Sequence, residues 1–305
     1  MLAILKVLNS LKNTHSNSWI YYVNISKCQL SSYLYLMIYM YKRILISLRC
    51  WWRKLWNMKT NKDLIIERFR QVEGLGFVQS NRKNNTGIGK TFEDYIGVVE
   101  NNLDEPDLYG FEIKSHRELA TSYVTLFTKA PVFPIRANAY LKDKYGEPYQ
   151  NDVALKKLHV SMFATKDTLA YNKYKFKLIN DRKNSVVRIA IFNSTNNQLI
   201  DDSVGYTYDC LEAILKKKLK NLFYVSAQTK IIGTKEHFHF NKAEIFTNPT
   251  LKKFLKLIDE GMIMYDIRLG SYGSGPHYGK AHDHGSGFRI LEKNIHLLYE
   301  NHERV

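Results

Sequence analysis

The fold is decided by the stretch Glu105-Pro106-Asp107-Leu108-Tyr109-Gly110-Phe111-Glu112-Ile113-Lys114, which combines an apolar strand pattern with carboxylates and a lysine. Side chains alternate between the two faces of a β-strand, so Glu112 and Lys114 share one face while the intervening apolar residues anchor the other. Gly110 permits a bend or bulge that turns the carboxylate of Asp107 towards Glu112. The stretch therefore predicts a strand with two acids and a lysine gathered at its beginning.

These three side chains suit magnesium-dependent hydrolysis. Mg²⁺ binds through one or two carboxylates and keeps several waters, which makes Asp107 and Glu112 the candidate metal ligands. Lys114 is the candidate to orient the attacking water or to stabilise charge on a phosphoryl oxygen. A solvated strand edge is the alternative interpretation of the same spacing.

The segment upstream strengthens the catalytic interpretation. Residues 86–97, Thr-Gly-Ile-Gly-Lys-Thr-Phe-Glu-Asp-Tyr-Ile-Gly, predict a glycine-rich turn that leads into a short helix. Phe92, Tyr95 and Ile96 lie on the predicted buried side of this helix, and Glu93 lies on the other. Glu93 is therefore a further acidic candidate for the site.

An apolar strand over Tyr123–Phe127 follows, so the predicted order is a short helix and then a β-hairpin, which is the order of PD-(D/E)xK nucleases. Thr86-Gly87-Ile88-Gly89, Glu93, Glu100-Asn101-Asn102 and the Asp-x4-Glu-Ile-Lys spacing together resemble the MvaI/BcnI family of type II restriction endonucleases. MutH-like nicking enzymes are more distant relatives. The resemblance implies a mixed α/β fold with two lobes, one catalytic and one for DNA recognition, that form a DNA cleft.

A second informative region lies near the C-terminus. Asp266 and Arg268 are two apart on a predicted strand over 262–270, so they point the same way. A carboxylate in this position can accept a hydrogen bond from cytosine N4, and a guanidinium can donate to guanine N7 and O6. These residue types therefore suit the reading of G·C pairs.

The glycine-rich loop that follows leads into His282-Asp283-His284-Gly285-Ser286-Gly287-Phe288-Arg289. This sequence, together with the preceding strand Asp-Ile-Arg, resembles the base-reading region of the MvaI/BcnI enzymes. The resemblance implies that His282, Asp283, His284 and Arg289 contact DNA. A metal site at His282 and His284, or a purely structural loop, are the alternatives. Phe288-Arg289-Ile290 is predicted to begin a closing helix.

The rest of the chain predicts an alternation of helices and strands. Helices are expected from an Asn61 cap to Gly74, over 208–220 and over 249–260, and strands over 158–163, 174–180, 185–192 and 222–227. His237 and His239 share one face of a further strand, as a zinc pair or simply as its polar face. By resemblance, Lys230 after a core strand is a phosphate contact, and a solvated lysine is the alternative.

Net charge points towards a polyanionic partner. The 305 residues carry 45 Lys/Arg and 29 Asp/Glu, a formal charge of +16. Nucleic acid and an anionic membrane surface both suit such a chain. Residues 1–57 hold eight of these cations and no acid, together with all four tryptophans. This break predicts a foreign N-terminal extension over 1–57, with Met58 as the true start; an organelle transit peptide or a membrane-surface helix is the alternative.

The predicted endonuclease therefore spans 58–305, with a catalytic lobe centred on 86–130 and recognition elements centred on 236–290. Cys210 is the single cysteine of this part, which fits a reducing cytoplasm and excludes a disulfide framework. The resemblance implies a bacterial monomer that cuts double-stranded DNA at sites of the CCNGG type with Mg²⁺, away from membranes and beside a cognate DNA methyltransferase. A MutH-like repair nickase and a non-catalytic basic DNA-binding protein are the rival functions.

Overall fold

The computed structural model describes residues 39–46, 59–84, 86–98, 106–118 and 122–305. The chain divides into two compact units, Met1–Lys59 and Thr60–Val305. In the first unit, residues 39–46 are helical. None of the described helices has the length and apolar character needed to cross a membrane. The predictions at Met58 and at Glu100-Asn101-Asn102 lie outside the described residues.

The second unit is built from helices and strands in mixed order. Its described α-helices are α1 (Asn61–Glu73), α2 (Gly87–Ile96), α3 (Ala137–Tyr145), α4 (Tyr208–Lys218) and α5 (Leu251–Asp259). Its first strands are β1 (Val78–Gln79), β2 (Glu112–Arg117), β3 (Tyr123–Thr128), β4 (Glu147–Pro148), β5 (Lys156–Met162), β6 (Thr168–Ala170), β7 (Tyr174–Asp181) and β8 (Val186–Asn193). The remaining strands are β9 (Leu199–Thr207), β10 (Asn221–Ile232), β11 (Lys235–Pro249), β12 (Ile263–Ser271), β13 (Ala281–Asp283), β14 (Gly287–Leu291) and β15 (Tyr299–Arg304).

Three sheets organise these strands. The first sheet has the order β1-β11-β10-β2, with β15 paired to β11. The second sheet has the order β3-β14-β12-β5-β4, with β13 paired to β12, and the third has the order β6-β7-β8-β9. The mixed α and β class predicted from the sequence is confirmed.

The helix α1 begins one residue earlier than predicted. Its N-cap is Thr60, whose hydroxyl accepts from the N–H of Asp63 while the Asp63 carboxylate accepts from the N–H of Thr60 at 2.8 Å. This reciprocal capping box satisfies two N–H groups that the helix leaves unpaired, so it is preferred over a cap at Asn61. The predicted C-terminal end at Gly74 is confirmed.

The predicted glycine-rich turn and short helix are confirmed as α2. Phe92 and Ile96 are buried, whereas Tyr95 is exposed, contrary to the prediction. Phe92 and Ile96 are four residues apart and lie on the same face of the helix, so this face packs against the core. A side chain at Gly87 would lie 2.3 Å from the carbonyl oxygen of Arg82, so the close approach of these two backbone segments requires glycine.

The predicted hairpin of β2 and β3 is wrong. β2 runs parallel to β10, with Glu112 opposite Leu222, and β3 runs antiparallel to β14 in the second sheet. The two consecutive strands thus belong to different sheets. Local alternation of apolar residues predicts a strand but not its partner, because pairing depends on burial of the whole sheet.

The predicted closing helix after residue 287 is also wrong. Gly287–Leu291 is the strand β14, in which Phe288 and Ile290 are fully buried and Arg289 lies between them. This burial follows the two-residue period of a strand. A 3₁₀ segment, Glu292–Leu298, then leads to β15.

The other predicted helices and strands are confirmed to within a few residues at their ends. The helix α3 and the strands β1, β4, β6, β9, β13 and β15 were not predicted. Two hydrophobic clusters hold the fold: one joins α1 and α2 to one face of the first sheet, and the other joins the three sheets with α4 and α5. Ile113 belongs to the former cluster. Its burial turns the neighbouring Glu112 and Lys114 to the opposite face of the sheet.

Candidate active site

A tight turn before β2 folds Asp107 back onto the strand. Leu108 and Phe111 form the turn through paired backbone hydrogen bonds of 3.1 and 2.8 Å, and Gly110 adopts a φ of 77°. One carboxylate oxygen of Asp107 accepts from the N–H of Ile113 at 2.7 Å. The bend predicted at Gly110 is therefore present, and it places Asp107 beside the beginning of β2.

Glu112 and Lys114 lie on the same face of β2, as predicted. The Lys114 ammonium donates to the Glu112 carboxylate, and their side chains are 29% and 12% exposed. Burial raises the pKa of Glu112; the charge of Lys114 opposes this shift and the charge of Asp107 adds to it. Because Glu112 responds to the charge of Asp107, the two carboxylates are close enough to repel each other.

This donor set fits a small divalent cation. Two hard carboxylate oxygens, one of them poorly solvated, are relieved of repulsion and of desolvation by a cation between them. Among the described residues no group of three or more His, Cys, Asp or Glu is arranged to hold a metal ion. Two protein ligands completed by water suit Mg²⁺. A structural zinc site needs four protein ligands, and none of the described residues completes such a set with His237 and His239, so the zinc interpretation of these histidines gains no support.

Two further residues that the sequence analysis had not assigned to this site affect it, Asn221 by a hydrogen bond and Lys218 by its charge. The side-chain amide of Asn221 donates to the carbonyl of Gly110 at 3.0 Å and so ties the start of β10 to the turn. The positive charge of Lys218, at the end of α4, acts on Glu112. The basic run 216–218 lies in the last turn of α4, where cations also complement the helix dipole, and it is the feature of the sequence that could have indicated this role.

Glu93 is half-buried in α2, and α2 packs against β2. This packing puts Glu93 on the element next to β2. Lys230 lies on the exposed end of β10, with its ammonium 5.8 Å from the ring centre of Phe77. The roles of Glu93 and Lys230 stay predictions.

A buried carboxylate joins two arginines in the second sheet. Asp266 is 1% exposed, and one of its oxygens lies 2.9 Å from Nε of Arg268 and 3.0 Å from Nε of Arg289. The hydroxyl of Ser161 donates to the other oxygen at 2.6 Å. Asp266 thus anchors both guanidinium groups, and its direct contact with cytosine stays a prediction. Arg268 is 41% exposed and contacts Asp266 through Nε.

The two loop histidines lie beside these arginines. The ring of His282 stacks on Tyr272, with centres 4.3 Å apart, and lies 4.2 Å from the ring of His284. The N–H of His284 donates to the carbonyl of Arg268 at 2.8 Å. A side chain at Gly270 would lie 2.9 Å from the His284 ring, so glycine leaves the room that this ring occupies.

Asp283 holds the loop in shape. One of its oxygens accepts from the N–H groups of Gly285 and Ser286, at 3.0 and 2.7 Å, and the other accepts from the Asn138 side chain at 2.8 Å. This structural role differs in kind from the DNA contact implied by the resemblance, which stays a prediction.

His159 is a candidate that the sequence analysis missed. It lies opposite Arg268 in the pairing of β5 with β12 and is exposed. Burial of the ring lowers the pKa of His159, and the charges of Arg268 and His284 act in the same direction. Only the pairing of β5 with β12 reveals that His159 shares a surface with Arg268 and His284.

Comparison with known proteins gives a consistent result. The profile described as the MvaI/BcnI restriction endonuclease family matches residues 66–299. A solved structure entitled "Restriction endonuclease MvaI-cognate DNA substrate complex" is similar with a TM-score of 0.73 and 37% identity, over 81% of this chain and 99% of that one. "Restriction endonuclease MvaI in the absence of DNA" is similar with a TM-score of 0.56 and 37% identity, over 82% and 99%. A search of curated proteins finds no match.

Proposed function

Because the chain belongs to the MvaI/BcnI restriction endonuclease family and is a site-specific deoxyribonuclease, we propose that it cuts DNA with Mg²⁺ at short GC-rich sites. The proposed sites have a degenerate centre, of the CCNGG type. The observation that carries the proposal is the turn that brings Asp107 onto β2 beside Glu112 and Lys114. This arrangement unites two acids and a cation at one strand end.

Asp107 and Glu112 are the residues that would hold the cation. When bound there, Mg²⁺ supplies Lewis-acid stabilisation of a phosphoryl oxygen and lowers the pKa of its water. The chain itself supplies the positions: the backbone N–H of Ile113 orients Asp107, and burial in the sheet orients Glu112. Preorganised groups of this kind need no rearrangement at the moment of reaction.

Lys114 positions the attacking water and stabilises charge on the phosphoryl oxygens. Its ammonium is held at Glu112, so it is already directed towards the ligand pair. Glu93 assists as a nearby acid from α2. These roles divide the chemistry into cation binding by two acids and water positioning by a lysine.

DNA recognition is proposed for the exposed polar surface around Arg268. The MvaI structure with its cognate DNA substrate supports binding of double-stranded DNA by this chain. Arg268 and Arg289, both anchored on Asp266, would each direct a guanidinium fork to guanine. His282 and His284 would face the central base pair, with Asp283 holding their loop. His159 would border the same surface and Lys230 would contact a phosphate.

The biological setting follows from the same proposal. The enzyme acts as a monomer in the bacterial cytoplasm, and a cognate DNA methyltransferase protects the host's own sites. It cuts without a partner protein, in contrast to a MutH-like repair nickase.

The test is digestion of plasmid DNA by the purified full chain. Mg²⁺, Ca²⁺ and EDTA are compared, with wild type and Asp107→Asn, and the ends are sequenced. Discrete fragments with Mg²⁺ alone, ending at sites of one CCNGG type, are expected for the wild type only. Binding without any cutting would favour a non-catalytic DNA-binding protein, and cutting that needs an added protein would favour the repair nickase.

A further inference from the structure

A buried histidine on the catalytic strand contacts a carboxylate from the second sheet. His116 follows Lys114 by two residues on β2 and is 7% exposed. Its Nε2 atom lies 2.5 Å from a carboxylate oxygen of Glu292. At this distance the ring nitrogen and the carboxylate oxygen form a hydrogen bond, for which one of the two atoms carries the proton. The family assignment gives this pair no role.

The ring of His116 is fixed by β10 as well. It stacks on the ring of Tyr224 with centres 4.6 Å apart and planes 16° apart, and its Nε2 lies 3.3 Å from the Ser226 hydroxyl. In the parallel pairing Tyr224 is opposite Lys114 and Ser226 is opposite His116. The position of this ring therefore defines where Lys114 lies relative to β10.

Glu292 belongs to the recognition side of the molecule. It is the first residue after β14, three residues beyond Arg289, and its N–H donates to the carbonyl of Ser122 at 3.2 Å. β14 pairs with β12, where Arg289 is opposite Met264. Glu292 thus follows directly in the chain from the strand that carries Arg289.

The protonation of the pair favours one tight hydrogen bond. Burial raises the pKa of Glu292 to about 7, with a further contribution from the charge of Glu244. Burial lowers the pKa of His116, while the charges of Glu244 and Glu118 act the other way. The neutral arrangement avoids two buried charges, whose desolvation would offset their attraction.

We propose that His116 and Glu292 form a positioning link. Through this link the second sheet, which carries Arg268 and Arg289, holds the catalytic strand β2 in place for cleavage. The link joins the strand of Lys114 to the strand of Arg289 by a single side-chain contact. It rests on the proposed function, because Lys114 and Arg289 take their roles from it. Small displacements of catalytic groups are costly, so loss of the link lowers cleavage without removing any group that touches DNA.

The test compares Glu292→Ala, Glu292→Gln and Glu303→Gln with wild type in the full chain. Glu303 lies exposed on β15, and its carboxylate pairs with Lys62 at 2.5 Å. Glu303→Gln therefore controls for the loss of a paired glutamate charge that does not act on His116 or Glu292. Single-turnover cleavage is measured at saturating enzyme, on a duplex with the mapped site and on one with an outer G·C pair replaced. Binding is measured in Ca²⁺, and thermal unfolding is recorded for each variant.

Glu292→Ala is expected to cut the mapped site about 10-fold to 100-fold more slowly, with binding within about threefold of wild type. The ratio of rates on the two duplexes should fall as well. Glu292→Gln, which keeps an acceptor for Nε2–H, should recover most of the rate, and Glu303→Gln should resemble wild type.

A merely structural contact would lower the unfolding temperature and the active fraction but leave the single-turnover rate and the ratio unchanged. Equal rates for wild type and Glu292→Ala would overturn the inference while the proposed function stands. Absence of cleavage by the wild type would instead remove the proposed function, and the positioning link with it. His116→Asn provides a second variant at the other end of the contact, with the same expected loss of rate.

Discussion

The carboxylate of Asp107 accepts a hydrogen bond from the backbone N–H of Ile113 at 2.7 Å, within the strand segment that separates Glu112 from Lys114. A metal-ligand candidate is thus oriented by the main chain of β2. Its position depends on the turn over 108–111, which the side chain of Asn221 ties to the start of β10. The relationship explains how an Asp-x4-Glu-x-Lys spacing becomes a compact site.

Asp107→Asn should separate folding from catalysis, because the amide oxygen can still accept from the N–H of Ile113 while the charge is lost. We expect cleavage to fall by about 100-fold or more, since metal-ligand stabilisation is worth several kcal/mol. The unfolding temperature should stay close to that of wild type. Cleavage within a few-fold of wild type would remove Asp107 from the metal site.

Lys114→Met keeps the apolar stem of the side chain and removes the ammonium that contacts Glu112. Cleavage should fall by about 100-fold or more, whereas DNA binding in Ca²⁺ should change little, because one charge is a small part of the phosphate contacts. Lys242→Met is the matched control, as Lys242 is 60% exposed and pairs with Glu118. Equal losses in both variants would mean that Lys114 acts only through general charge.

Arg268→Ala should lower cleavage of the mapped site by about tenfold or more, since a bidentate contact to guanine discriminates by about 1–3 kcal/mol.

His282→Ala and His284→Ala should instead alter the ratio of cutting among CCAGG, CCTGG, CCCGG and CCGGG duplexes, because imidazole can donate or accept a hydrogen bond. Cleavage rates on the four duplexes provide the measurement. A uniform loss on all four and on random DNA would limit these residues to holding the loop or the backbone.

Asp201→Asn should destabilise the fold away from the active site. The Asp201 carboxylate accepts from the hydroxyls of Tyr140 and Tyr145, the latter at 2.6 Å, and from Ser203. Burial opposes ionisation, but these hydrogen bonds outweigh it and hold the pKa of Asp201 well below its usual value of 3.8. We expect a loss of about 3 kcal/mol in the free energy of unfolding at neutral pH.

The sign of the pH dependence follows from the lowered pKa. The stabilisation by Asp201 is fully present above pH 3.8 and is lost as the pH falls below that value towards the lower folded pKa. Urea unfolding between pH 7 and pH 3 should show this acid limb in wild type and a flatter one in Asp201→Asn. Asp202→Asn, at an exposed neighbouring position, should keep the wild-type profile.

A chain that begins at Met58 should fold and cleave like the full chain. The family profile lies within residues 66–299, and 81% of this chain suffices to match 99% of the MvaI chain. Single-turnover rates and unfolding temperatures of the two chains provide the comparison. An inactive or insoluble shorter chain would show that the N-terminal segment is part of the working protein.

The sequence by itself determined the local elements and the family. The capping pattern before α1, the glycine-rich entry to α2 and the alternation across Glu112 and Lys114 are short-range signals, because capping, turns and strand faces depend on neighbouring residues. The bend at Gly110 was predictable for the same reason. The spacing of acids and lysine then pointed to the chemistry.

Only the tertiary structure decided which strands pair and what buried polar groups meet. β2 pairs with β10 rather than with β3, and β14 replaces the expected helix, because long-range pairing depends on which faces the whole sheet can bury. The burial of Asp266 between two arginines and the contact of His116 with Glu292 arise from that pairing. Arg289 lies more than twenty positions from Asp266, and Glu292 lies more than a hundred positions from His116. No local pattern of side chains encodes either of these two contacts.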